Sequence, residues 1–165
     1  MKKMFLSIVA ILVIAGCKTN NQTKQVDFAA IKDTIALIVD ENNKAAANKD
    51  IEACFRDYSD ECLTIGTDPG EFWSFKEARA MTKQMFTDTS HHFLLIKVEK
   101  REIQVAPDGN SAVVIDQFYP FFSPKILARG TIYMVKINNK WKIHLISWAM
   151  IPKNEDLAKL NSAIK

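Results

Sequence analysis

Asp116 interrupts an otherwise apolar stretch, Ala112-Val113-Val114-Ile115 before it and Phe118 after it. A carboxylate in mid-strand is costly to bury unless it is paired. Two roles fit it. One is a general base in an apolar pocket, its affinity for protons raised by desolvation, with Tyr133 or His144 beside it. The other is a structural ion pair or an edge-exposed carboxylate, which is the simpler reading. The remaining reactive side chains form no recognisable constellation. His91 and His92 are adjacent, so on a strand they point to opposite faces and cannot chelate one ion together. With no third ligand in view, no metal site is expected. There is no Ser-His-Asp order, phosphate loop or dinucleotide fingerprint, and no cofactor is expected. Cys54 and Cys62 have neither zinc nor redox spacing. In an oxidising compartment they can form a disulfide; otherwise they are two small buried hydrophobes.

Cys17 carries chemistry of a different kind. Met1-Lys2-Lys3 is a basic start, and residues 4–16 form an apolar run. That run is shorter than the roughly 20 residues a spanning helix needs. It reads as a cleaved secretory leader. Its ending, Ile14-Ala15-Gly16-Cys17, resembles the bacterial lipobox. The resemblance implies cleavage before Cys17, lipidation of that residue, and attachment to the cell envelope. Two acyl chains hold a protein firmly where one does so only marginally. Lys18 stands where an Asp would resemble an inner-membrane retention signal, so the outer membrane is expected over the inner. The expected organisation is a leader at 1–16, a lipidated polar tether at 17–25 and one folded domain at 26–165. Without Lys2 and Lys3 the excess of basic over acidic side chains falls from three to one. No basic stripe remains, and no nucleic-acid partner is expected.

The elements that must position these residues can be read from periodicity. Phe28, Ile31, Ile35 and Ile38 make one face of a helix over 26–43. A shorter helix is expected over 49–58, with Asn48 as its cap. Cys62 to Gly66 reads as a strand, 67–70 as a turn, and 71–73 as extended chain. Ser74 and Glu77 form a capping box that opens a helix ending near Thr87, with Trp73 stapled on Ala78. Strands are expected over 91–105, 111–122, 126–137 and 140–150. They are separated by a turn at 107–110, by Ser123-Pro124, and by the two-residue hairpin Asn138-Asn139. Asn154 is expected to cap a short C-terminal helix carrying Leu157, Leu160 and Ile164. Helices followed by an antiparallel meander make an α+β fold.

The segments Asn48-Lys49-Asp50-Ile51, Thr64-Ile65-Gly66-Thr67-Asp68-Pro69-Gly70-Glu71-Phe72-Trp73 and Asn139-Lys140-Trp141-Lys142-Ile143 resemble the SnoaL-like branch of the nuclear transport factor 2-like superfamily. The resemblance covers roughly residues 26–151. It implies a curved antiparallel sheet wrapped around N-terminal helices, cone-shaped, with an internal pocket. It also implies frequent dimers, and functions ranging from isomerases, cyclases and hydrolases to pure binding. Members often carry a His and a Ser late in the last strand. The matching positions here are Ser147 and Ala149, so no catalytic pair carries over.

The Asn138-Asn139 hairpin sets the faces of the last two strands. Counting outward in regular register, Arg129, Tyr133, His144 and Trp148 share one face. Ile132, Met134, Trp141, Ile143, Leu145 and Ser147 share the other, which should lie under the helices. The polar-aromatic face is read as a dimer surface, as a pocket lining, or as an exposed face with Arg129 stacked on Trp148. A turn at Ser123-Pro124 that sets Asp116 opposite Thr131 puts it beside Arg129 and Tyr133; a one-residue slip turns it to the other face. Runs such as Phe93-Leu94-Leu95-Ile96 indicate a sheet covered on both sides, hence a homodimer through the sheet. Phe28, Phe55, Trp73, Met81, Met85, Trp141 and Leu145 are the expected cavity lining. The function expected is an envelope lipoprotein domain that binds a small apolar or amphipathic ligand or a protein partner. The alternative is an isomerase, cyclase or hydrolase with Asp116 as base.

Overall fold

The computed structural model describes residues 26–89, 96–120, 123 and 125–164. Cys17 with the expected leader and tether, His91, His92 and the run 93–95 lie outside the described residues. Helix α1 spans Phe28–Ala47, longer than its apolar stripe predicts. Asp27 caps it by accepting a bond from the Ala30 amide at 3.0 Å. Asn48 closes this helix instead of opening the next, its amide bonding the Lys44 carbonyl at 3.0 Å. Lys49 then adopts φ 57°, reversing the chain. The cap of α2 (Ile51–Phe55) is therefore Asp50, which accepts from the Ala53 amide at 3.0 Å.

Strand β1 (Tyr58–Ile65) and the short β2 (Phe72–Ser74) flank the expected turn. Glu71 holds that turn, its carboxylate accepting from the Asp68 amide at 2.9 Å. The capping box opens α3 (Phe75–Thr87) as expected: Ser74 Oγ accepts from the Glu77 amide, and the Glu77 carboxylate accepts from the Ser74 amide at 2.8 Å. Strands β3 (Val98–Val105), β4 (Ser111–Phe118), β5 (Leu127–Ile137) and β6 (Lys140–Ile151) follow. β4 stops before Pro120, which has no amide to offer a ladder. Asn138 and Asn139 take φ 49° and 63°, the left-handed pair a tight hairpin requires. Beyond Pro152, residues Asn154–Asp156 form a 3-10 turn leading into α4 (Leu157–Ala163); no side chain caps either element.

The sheet has six strands in the order β2-β1-β6-β5-β4-β3, not the four of the expected meander. β1 joins it parallel to β6, a pairing between distant segments that local patterns cannot show. α1 and α2 pack together, and α3 lies on β1. The core forms between helices and sheet around Ile35, Val39, Cys62, Val114, Met134 and Ile143, all at most 1% exposed. No helix among the described residues is long and apolar enough to cross a membrane.

One irregularity decides which side chains share a face. The β5–β6 register shifts between Tyr133 and Met134. Met134 opposes Ile143 and Tyr133 opposes Leu145, so His144 is an extra residue, a β-bulge. Beyond it every side chain is displaced by one. Leu145 and Ser147 therefore move off the helix side and Trp148 moves onto it, where the regular count had them reversed. Arg129 opposes Ala149, not Trp148, so the stacked Arg129–Trp148 pair does not form.

Candidate functional site

Asp116 lies on the helix side of the sheet and is 4% exposed. The β4–β5 register sets it opposite Gly130, and the β3–β4 register sets it opposite Arg101. This is the one-residue slip: Ile115, not Asp116, opposes Thr131. Arg101 grips the carboxylate with both sides of its guanidinium, Nε to Oδ1 at 2.7 Å and Nη2 to Oδ2 at 2.8 Å. Its third nitrogen reaches α1, meeting Asp40 Oδ1 at 2.9 Å and the Ala36 carbonyl at 3.4 Å. Asp116 holds the Arg101 guanidinium even more firmly protonated than usual. Bidentate arginine–carboxylate geometry fixes both partners in position. The pair therefore pins β3 and β4 to α1, and both carboxylate oxygens of Asp116 are engaged in a structural ion pair.

Arg101 and Asp40 were missed from the sequence, although the signal was there. Counting back from the 107–110 turn pairs Val105 with Ala112, Ile103 with Val114 and Arg101 with Asp116. Gly130 faces Asp116 on one side and Trp148 on the other. A methyl group added there would stand 3.4 Å from Trp148 Cδ1 and 3.6 Å from Phe118 Cε1. The Trp148 indole thus packs over the Gly130 backbone at a distance where a methyl group would make ordinary van der Waals contact. Half-buried Trp148 and Trp73 both pack against the core.

Tyr133 and His144 are not near this pair but on the outer side of the sheet. His144 Nδ1 lies 3.0 Å from the Ser59 hydroxyl, and its ring meets Tyr133 edge-on at 6.2 Å. Ser59 is buried, so the pair joins β1 to the bulge of β6 and gives no accessible nucleophile. The three candidates Asp116, Tyr133 and His144 are therefore not assembled into one site.

The outer face is a surface in its own right. One row crosses it as Leu63, Leu145, Tyr133 and Val113; the next as Ile65, Ser147, Thr131 and Ile115. Phe72 extends the second row from β2. Leu63 and Tyr133 are each 36% exposed and Phe72 59%. Of these, Tyr133 and Ser147 were singled out from the sequence; Leu63 and Phe72 were not.

Two open depressions lie in the described sheet. One, of about 240 Å³, is lined by Lys100, Glu102, Ile115, Gln117 and Arg129 on the outer face. The other, of about 220 Å³, sits where the β3–β4 turn meets Tyr133. Neither lies under the helices. Phe55 stacks at 4.7 Å on Tyr58 and meets Phe75 edge-on, filling space. Trp141 takes the Lys136 ammonium over its ring at 5.0 Å. Phe28 is exposed, and Leu145 belongs to the outer face.

Cys54 and Cys62 are both free cysteines, so the disulfide reading is not realised in the structure. Each thiol is buried, Cys54 against the Asn42 side-chain amide at 3.8 Å. Burial pushes both up to about 11, away from thiolate chemistry. Among the described residues no group of His, Cys, Asp and Glu is placed to hold a metal ion.

Comparison with known proteins agrees with this architecture. The model of the SnoaL-like domain matches residues 35–151. No curated protein matches the chain. Among solved structures, an NTF2-like protein of unknown function from Pseudomonas putida KT2440 is similar at TM-score 0.63 and 13% identity, over 77% of this chain and 91% of that one. An NTF2-like protein from Cytophaga hutchinsonii ATCC 33406 is similar at TM-score 0.60 and 15% identity, over 73% and 98%. A cystatin-like fold protein from Burkholderia xenovorans LB400 is similar at TM-score 0.61 and 18% identity, over 75% and 94%. At these identities the likeness is one of fold.

Proposed function

The chain belongs to the SnoaL-like domain family, and within that family we propose that it is a binding domain of the bacterial envelope that performs no chemistry on what it binds. The observation that carries this reading is the bidentate Arg101–Asp116 pair, which commits the best candidate base to the fold. The leader and the Ile14-Ala15-Gly16-Cys17 ending support lipidation at Cys17 and attachment to the outer membrane, with 17–25 as tether. The apolar rows on the outer face support a homodimer through the sheet. An apolar or amphipathic small molecule laid against Trp148 is the ligand this chemistry favours. The indole lies half-buried above Gly130, beside Phe118, on the helix side of the sheet. Aromatic rings give a large apolar contact area with a polar handle at one edge.

Titration with an anilinonaphthalene sulfonate probe tests the ligand reading. Saturable binding is expected, weakened about tenfold or more by Trp148→Ala. Equal binding by the wild type and a folded Trp148→Ala variant sinks this placement of the ligand. Mass spectrometry of the mature N-terminus checks the anchor: a diacylated Cys17 is expected, and an unmodified residue other than Cys17 contradicts it.

A further inference from the structure

The larger depression on the outer face is lined by charges that no partner in their own chain neutralises. Lys100, Gln117 and Arg129 stand side by side on β3, β4 and β5, each opposite the next in register. Glu102 and Ile115 form the neighbouring same-face row on β3 and β4. Together these five side chains line about 240 Å³. Lys100, Glu102 and Arg129 are exposed, and none has an ion-pair partner among the described residues.

The spacing of these groups selects a ligand. Adjacent strands lie about 4.8 Å apart, so Gln117 sits midway between two cations whose backbones are roughly 10 Å apart. An anion above the Gln117 amide is within reach of the ammonium on one side and the guanidinium on the other. A phosphate group suits that position. Its oxygens can serve three separate donors, and its charge meets two cations. Glu102 stands one same-face step along β3 from Lys100, about 7 Å away and beside Ile115. A bare phosphate is repelled by that carboxylate. A phosphate joined by a short apolar link to an ammonium is not, because the ammonium meets Glu102 while the link lies over Ile115.

We propose that this depression binds a small phosphate–ammonium zwitterion of the phosphoethanolamine kind. Lys100, Gln117 and Arg129 hold the phosphate, Glu102 holds the ammonium, and Ile115 lies beneath the link. The site is on the opposite face of the sheet from Trp148 and is independent of the ligand proposed there. Its exposed charges are screened by salt, so it selects by the arrangement of charge more than by raw affinity.

Titration of the full chain in an uncharged sugar detergent, followed by backbone amide shifts, tests the site. Phosphoethanolamine is expected to give saturable shifts in β3, β4 and β5 around Gln117, and to bind about threefold or more tighter than inorganic phosphate. Arg129→Gln is expected to weaken both ligands about tenfold. Glu102→Gln is expected to weaken phosphoethanolamine about threefold or more while inorganic phosphate binds as well as before or better. Both residues are exposed, and circular dichroism checks that each variant folds. Competition separates two sources of the same group. Displacement by a short-chain phosphatidylethanolamine assigns a lipid headgroup, and displacement by the soluble compound alone assigns a free metabolite. No saturable shifts around Gln117, or equal binding by wild type and both variants, overturns the site. Inorganic phosphate bound by the wild type as tightly as phosphoethanolamine overturns the zwitterion. Either result leaves the Trp148 ligand reading in place.

Discussion

Arg101 illustrates how a charged residue on an apolar strand can serve the fold alone. Removing one partner of a buried pair leaves the other charge uncompensated, which typically costs about 3–5 kcal/mol. Arg101→Ala is accordingly expected to lower unfolding free energy by about 3–5 kcal/mol, measured by denaturant titration. The double replacement Arg101→Met with Asp116→Leu is expected to cost well under the sum of the single changes, because it strands no charge. Additive losses would mean the two side chains do not act as a pair. The thiols give a second expectation at this scale. Burial holds Cys54 and Cys62 protonated up to about 11, above the usual thiol value. A group whose proton affinity is raised by folding stabilises the folded state below its unfolded pKa and loses that contribution as pH rises through the folded one. Stability is therefore expected to fall between about pH 9 and pH 11, and a Cys54→Ala, Cys62→Ala variant to show a flatter profile there. Thiol counting with a bulky reagent at neutral pH should find both cysteines unreactive until the chain unfolds, and reactive afterwards without reductant.

Among the elements, the hairpin starts the β5–β6 register and the capping box opens α3. Asn138→Val forces a branched side chain into φ 49°, and an unfolding loss of about 1–3 kcal/mol is expected; Asn139→Gly should be neutral or stabilising. The Ser74 hydroxyl and amide hold the Glu77 carboxyl below its usual range. That contribution is present at neutral pH and is lost as pH falls through the depressed value, so acid should loosen α3 in the wild type more steeply than in Glu77→Gln, followed by circular dichroism. These local devices were legible in the sequence because each depends on residues a few positions apart. So was the helix stripe of α1. Three features were not. The parallel β1–β6 pairing joins segments some eighty residues apart, and nothing local encodes it. The bulge at His144 inserts one residue that a regular count from the hairpin does not include, so that count assigned Trp148 and Ser147 to the wrong faces. The candidate base failed for a related reason: its face was counted across the long connection after Phe118, whereas the short turn after Val105 fixes it opposite Arg101.

Over the whole molecule, buried polar chemistry serves the fold, while apolar surface lies exposed on the side of the sheet away from the helices. Leu63, Tyr133 and Phe72 are exposed there. If the proposed homodimer forms through that surface, Tyr133→Glu at its middle is expected to dissociate it without unfolding the domain, read by sedimentation and circular dichroism together. The central claim is that the domain binds without transforming its ligand. It is tested most directly by incubating the wild type and a folded Asp116→Asn variant with an extract of envelope small molecules, then analysing the bound and unbound fractions by mass spectrometry. The account predicts that the bound compounds are recovered intact and are the same set for both proteins. A compound converted to product by the wild type but left unchanged by Asp116→Asn would contradict it.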